Sequence, residues 1–82
     1  MENNKNMIAE ELISIWKDAL ESDDEITKDI SFFELGGNSL LASVVAEEIN
    51  KKYDIDFEIK DIYEYSSIND QVEFISGRLA EK

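Results

Sequence analysis

The chain has 82 residues, with 20 acidic against eight basic side chains, a formal charge of −12, and neither cysteine nor histidine. No disulfide or thiolate site can form, and the commonest neutral-pH proton shuttle and metal ligand is missing, which removes most enzyme mechanisms. The acidic field repels nucleic acid and anionic membranes, steers basic protein surfaces toward the chain, and favours solubility.

At this length one domain is expected, in which about 60% of the unfolded chain's surface is buried. Apolar residues make up 43% of the chain and charged residues 34%, the balance of a globular protein and not of an acidic disordered tail. No apolar run approaches the roughly 18 residues of a membrane span, and Met1 to Asn6 lacks the basic-then-apolar layout of a secretion signal. A soluble, cytoplasmic monomer is expected, with a flexible N-terminus over 1–6 and a single domain over 7–82.

From Met7 to Leu20, the residues Ile8, Leu12, Ile15, Trp16 and Ala19 recur at helical spacing, with Glu10, Ser14, Lys17 and Glu21 opposite. The stretch from Glu21 to Asn38 has no clear periodicity, and a loop of that length in a compact domain is usually functional or disordered. Phe32, Phe33 and Leu35 argue against disorder. If buried, aromatic rings of this size stabilise by roughly 1.5–3 kcal/mol each, enough to pin the end of the loop and fix where Ser39 emerges.

A second helix is predicted from Ser39 to about Tyr53, with Leu41, Val44, Val45, Ile49 and Lys52 or Tyr53 on one face and Leu40, Ser43, Glu47 and Lys51 on the other. Ile55 to Phe57 reads as a short extended stretch, and Ile59 to Tyr63 as a short helix. Ser67 can cap a final helix while Asp70 completes an acidic capping box, with Ile68, Val72, Ile75 and Leu79 as the buried stripe. With no proline and no internal repeat, the expected fold is an all-α, small four-helix bundle: three long helices, one short, and a long loop between the first two.

Gly36-Gly37 permits φ > 0 or close backbone approach, Asn38 suits a helix cap, and Ser39 follows at the first turn of a helix. Unpaired N–H groups and a partial positive charge at that end favour a phosphate ester on the hydroxyl. Taken alone, the same residues also fit an ordinary helix cap after a glycine turn. A P-loop spacing is absent, Leu41 stands where a nucleophile elbow needs glycine, and no Ser-His-Asp triad can form without histidine. Asp23 to Glu34 has the length of a calcium-binding EF-hand loop, but Lys28 occupies the position that requires glycine and Thr27 one that calls for a strong oxygen ligand.

The run Phe32-Phe33-Glu34-Leu35-Gly36-Gly37-Asn38-Ser39-Leu40-Leu41-Ala42 closely resembles the core motif of peptidyl carrier proteins, the thiolation domains of nonribosomal peptide synthetases within the acyl carrier protein superfamily. The order of elements is similar along nearly the whole chain. The resemblance implies a non-catalytic carrier. A phosphopantetheinyl transferase, using coenzyme A and magnesium, would place a 4'-phosphopantetheine arm on Ser39. An adenylation enzyme would load the arm's thiol with an aminoacyl group, and downstream condensation, tailoring or thioesterase enzymes would remove it.

By the same resemblance, partner enzymes would dock on Leu40, Ser43, Val44 and Glu47 of the second helix and Ile62 and Tyr63 of the short one, and would read Asn38 beside the serine. Periodicity alone also allows Val44, Ile62 and Tyr63 to be core. Asn38 departs from the His or Asp usual in the family, Ile30-Ser31 from the usual acidic lead-in, and Tyr65-Ser66-Ser67 from a proline-containing turn, which bears on the choice of transferase and partner. The Phe-Phe-Glu-Leu-Gly-Gly match favours a peptidyl carrier over a fatty-acid carrier, and an acyl, aryl or D-alanyl carrier stays open as the alternative, since the arm and not the protein surface holds the cargo. An acidic helical adaptor without cofactor is the alternative of another class. Met1 and Lys82 without linker-like flanks suggest a freestanding carrier, and an excised domain with trimmed ends would give the same sequence.

Overall fold

A computed structural model describes the backbone of residues 2–81 and the side chains of residues 5–81. Four helices and no strand are found among the described residues: α1 (Glu2–Leu20), α2 (Ser39–Tyr53), α3 (Ile59–Glu64) and α4 (Ile68–Ala80). Helix α1 packs on α4 and α2, and α3 rests on α2.

Of the flexible segment expected over 1–6, Met1 lies outside the described residues and Glu2 to Asn6 are helical. Periodicity is blind to a polar first turn, because only apolar positions mark the stripe. Lys5 Nζ, on that turn, lies 3.0 Å from a carboxylate oxygen of Glu73 on α4.

Ile8, Leu12 and Trp16 of α1 are buried as expected, and Ile15 is half-buried. In α2 the buried stripe runs through Ala42, Val45, Ala46 and Ile49. Val44, placed on the apolar face by the sequence, is 40% exposed. Val44 stands two residues from both buried alanines, and at about 100° per residue it falls on the opposite side of the helix from them. Leu79, expected in the α4 stripe, is 36% exposed in the last turn, where it borders an open cleft with Met7, Ile8 and Tyr53.

Ile55 to Phe57 lies outside the helices, and one side chain pairs both backbone groups of Phe57: Asn50 Nδ2 donates to the Phe57 carbonyl (2.8 Å), and Asn50 Oδ1 accepts from the Phe57 N–H (2.6 Å). The Phe57 ring is thereby held in the core, edge-on to Phe74 with centroids 5.0 Å apart.

Among the described residues, one polar side chain is fully buried in the core. Gln71 Oε1 accepts from Trp16 Nε1 (3.1 Å), and its Nε2 donates to the Tyr65 carbonyl (2.9 Å). Both ends of the amide are thus paired, as burial demands. At the C-terminal end of α2 the Tyr53 hydroxyl donates to Glu11. Burial, reinforced by the bond to Glu11 and its charge, pushes the Tyr53 phenol above its usual range.

Candidate functional site

The long loop is anchored at three points before it reaches Ser39. Ile26 is buried, the Asn69 N–H donates to the Lys28 carbonyl (3.0 Å), and the Phe32 N–H donates to the Ser66 carbonyl (2.7 Å). The Phe32 ring is fully buried and meets Trp16 edge-on at 5.0 Å. The Phe32 carbonyl then accepts from both Leu35 N–H (3.2 Å) and Gly37 N–H (3.1 Å), which curls the chain back over its own ring.

Both glycines in that curl have a physical role. Gly36 sits at φ +104, a region that side chains rarely adopt. A Cβ on Gly37 would fall 2.3 Å from Phe32 Cε2 and 2.9 Å from the Phe32 carbonyl oxygen, so only a bare backbone fits. The sequence motif is thus one packing unit, in which the ring of Phe32 sets the path of Gly37 and hence of the serine two residues on.

Asn38 caps α2: its backbone is extended, its Oδ1 accepts from Leu41 N–H (2.9 Å), and its carbonyl accepts from Ala42 N–H (2.8 Å). The N–H groups of Ser39 and Leu40 have no partner among the described residues. Ser39 is exposed at this first turn, and its hydroxyl makes no hydrogen bond among the described residues. No acidic residue occupies the first turn of α2, whereas α3 and α4 carry Asp61 and Asp70 there. In so acidic a chain, the positive end of this helix is left without a resident counter-charge. A phosphate ester on Ser39 would meet solvent, two open N–H groups and a favourable dipole.

The remaining sequence-predicted residues separate by exposure. Leu40 is 72% exposed, Val44 and Tyr63 are exposed, and so are Asn38 and Glu47. Ser43 is half-buried, its Oγ donating to the Leu40 carbonyl (2.7 Å). Ile62 is a correction: it is fully buried in the core and offers a partner no surface. On a six-residue helix lying on α2 one side chain must face inward, and Ile62 does so while its neighbour Tyr63 faces out. No group of three or more Asp, Glu, His or Cys side chains placed to hold a metal ion occurs among the described residues.

Two contributors were not singled out from the sequence. Phe33 stacks on Tyr63, with centroids 4.6 Å apart and planes 13° from parallel. A cleft of about 850 Å³ runs between α2 and α3, lined by Ser43, Glu47, Asn50, Ile59 and Lys60 among others. The stack leaves no local sequence signal, because it joins residues 30 positions apart, and the cleft depends on how the chain turns between α2 and α3.

A four-helix bundle that presents an exposed serine at an uncompensated helix start, behind a double-glycine curl, has the architecture of a carrier protein. Residues 10–75 match the family described as the phosphopantetheine attachment site, and the chain belongs to that family. Its members carry 4'-phosphopantetheine covalently and are generally non-catalytic.

The chain is 38% identical over 68 residues (83% of its length) to polyketide synthase PksN of Bacillus subtilis strain 168, and 35% identical over 73 residues (89%) to bacitracin synthase 3 of Bacillus licheniformis. It spans about 1% of the length of each. A free-standing peptidyl carrier protein of an uncharacterized Acinetobacter baumannii secondary metabolic pathway has the same fold. The TM-score is 0.87 at 19% identity, covering 93% of this chain and 96% of that one.

Proposed function

We propose that this chain is a peptidyl carrier that holds aminoacyl or peptidyl intermediates as thioesters on a 4'-phosphopantetheine arm at Ser39. The observation that carries the reading is the exposed Ser39 hydroxyl at a helix start with open N–H groups and no acid in its first turn. The arm supplies the thiol that this cysteine-free chain lacks. The protein's own residues do the rest: Phe32 and Gly37 place the serine, Asn38 fixes the helix start, and the helix dipole stabilises the phosphodiester.

A phosphopantetheinyl transferase would install the arm from coenzyme A, an adenylation enzyme would load it, and condensation, tailoring or thioesterase enzymes would unload it, in the cytoplasm, on a monomer. Leu40, Val44 and Tyr63 supply exposed apolar contacts, and Glu47 supplies charge steering. That combination suits brief exchange between partners.

Incubation with coenzyme A and a promiscuous transferase, followed by intact-mass measurement, should show one phosphopantetheinyl addition in the native chain and none in Ser39→Ala. No addition, or one that persists in Ser39→Ala, would sink the proposal. The likeness to a polyketide synthase favours a second reading, in which the cargo is an acyl group. Loading assays with adenylation enzymes separate the two, since an acyl carrier would fail with every amino acid.

A further inference from the structure

Beyond the core that Phe32 and Ile62 share, the stack of Phe33 on Tyr63 joins the loop to α3 at the surface. No hydrogen bond links residues 31–38 to α3 among the described residues, because the bond from Phe32 reaches Ser66, beyond the end of that helix. Ile62 roots α3 in the core, and Tyr63 lies flat against the loop while remaining 57% exposed. On its other side Phe33 meets the buried Phe32 ring edge-on at 5.6 Å, and its carbonyl accepts from Gly36 N–H (3.3 Å). A continuous line therefore runs from Tyr63 through Phe33 to the glycine curl that delivers Ser39.

We infer that Tyr63 is a positioning residue: its ring clamps Phe33 and so holds the Gly36-Gly37 curl in the geometry from which Ser39 is presented for modification. The consequence for arm transfer rests on the proposed role of Ser39, whereas the clamp itself does not. An aromatic ring is required and the phenol hydroxyl is not, since the contact is face to face. Tyr63 therefore acts through Phe33, independently of any contact it makes with a partner enzyme.

The test begins with hydrogen exchange of the unmodified chain, measured by NMR. In Tyr63→Ala the Gly36 and Gly37 amides should exchange about two- to tenfold faster, the range that one aromatic pair contributes, with the native rates recovered in Tyr63→Phe. The Gln71 amide, which donates to the Ser67 carbonyl in α4, should be unaffected. Unchanged glycine amides, or equal acceleration at Gln71, would overturn the clamp.

A second arm measures kcat/KM for transfer of the arm in Tyr63→Ala, Phe33→Ala and the double variant. A positioning role predicts that the double variant is no worse than the poorer single one. Losses that multiply would mean that Tyr63 acts on transfer by a route other than Phe33, and would overturn the inference. If Ser39 takes no arm at all, the attachment reading fails, and the exchange rates still decide the clamp.

Discussion

Helices α2 and α4 begin alike and differ in what they leave open. Each is capped by a polar residue in extended backbone, Asn38 and Ser67, whose side-chain oxygen accepts from the N–H three residues on. At α4 the cap is a serine, it is buried, and Asp70 sits in the first turn as a counter-charge. At α2 the serine is displaced by one position into the helix, it is exposed, and the first turn is Ser-Leu-Leu-Ala with no acid. The difference separates structure from function. At α4 the Ser67 side chain and the Lys28 carbonyl take up N–H groups of the first turn, whereas at α2 those of Ser39 and Leu40 have no partner among the described residues and the start stays open in charge and in space.

Exchanging the two serines for alanine should break the comparison most clearly. Ser39→Ala should abolish arm attachment in the mass assay while changing unfolding free energy by no more than about 0.5 kcal/mol, as befits an exposed side chain. Ser67→Ala should do the reverse, costing about 0.5–2 kcal/mol in urea denaturation while leaving attachment intact. A loss of attachment in both would mean that α4's start also supports the site.

A next test concerns the approach to α2. Gly37→Ala forces a Cβ against the ring and carbonyl of Phe32, so it should cost about 1–3 kcal/mol by urea denaturation and slow arm transfer. Native stability in Gly37→Ala would show that the curl relaxes without harm. The smallest effect should come from exchanging the charges. Leu40→Glu should stabilise α2 by about 0.3–1 kcal/mol in thermal unfolding and slow arm transfer, while Asp70→Asn should destabilise α4 by a similar amount. Faster transfer in Leu40→Glu would contradict the idea that α2 is left open for a phosphate.

The three long helices were legible because their apolar spacing is local, and the Ser67 cap and the short α3 were legible for the same reason. The glycine curl was visible as a motif, but its cause was not, since Gly37 is excluded from a side chain by Phe32, five residues earlier, and not by its own φ. Tertiary pairing explains what stayed hidden. Gln71 reads as a surface residue until Trp16 is brought beside it. Ile62 and Tyr63 are equally apolar neighbours, and only the docking of α3 on α2 decides which faces in. Val44 is exposed because the side of α2 that carries Ala42 and Ala46 is the buried one, and a hydrophobicity pattern ranks those alanines below the valine.

The edge-on contact between Trp16 and Phe32 has a practical consequence. Trp16 is the one tryptophan in the chain, so excitation at long ultraviolet wavelengths addresses a single fluorophore. That fluorophore touches the ring against which Gly37 closes. A rearrangement of the curl that moves the Phe32 ring should change the emission of Trp16, which a fluorescence titration would read. The protein thus carries its own optical gauge of the segment leading to Ser39, readable in real time without a label.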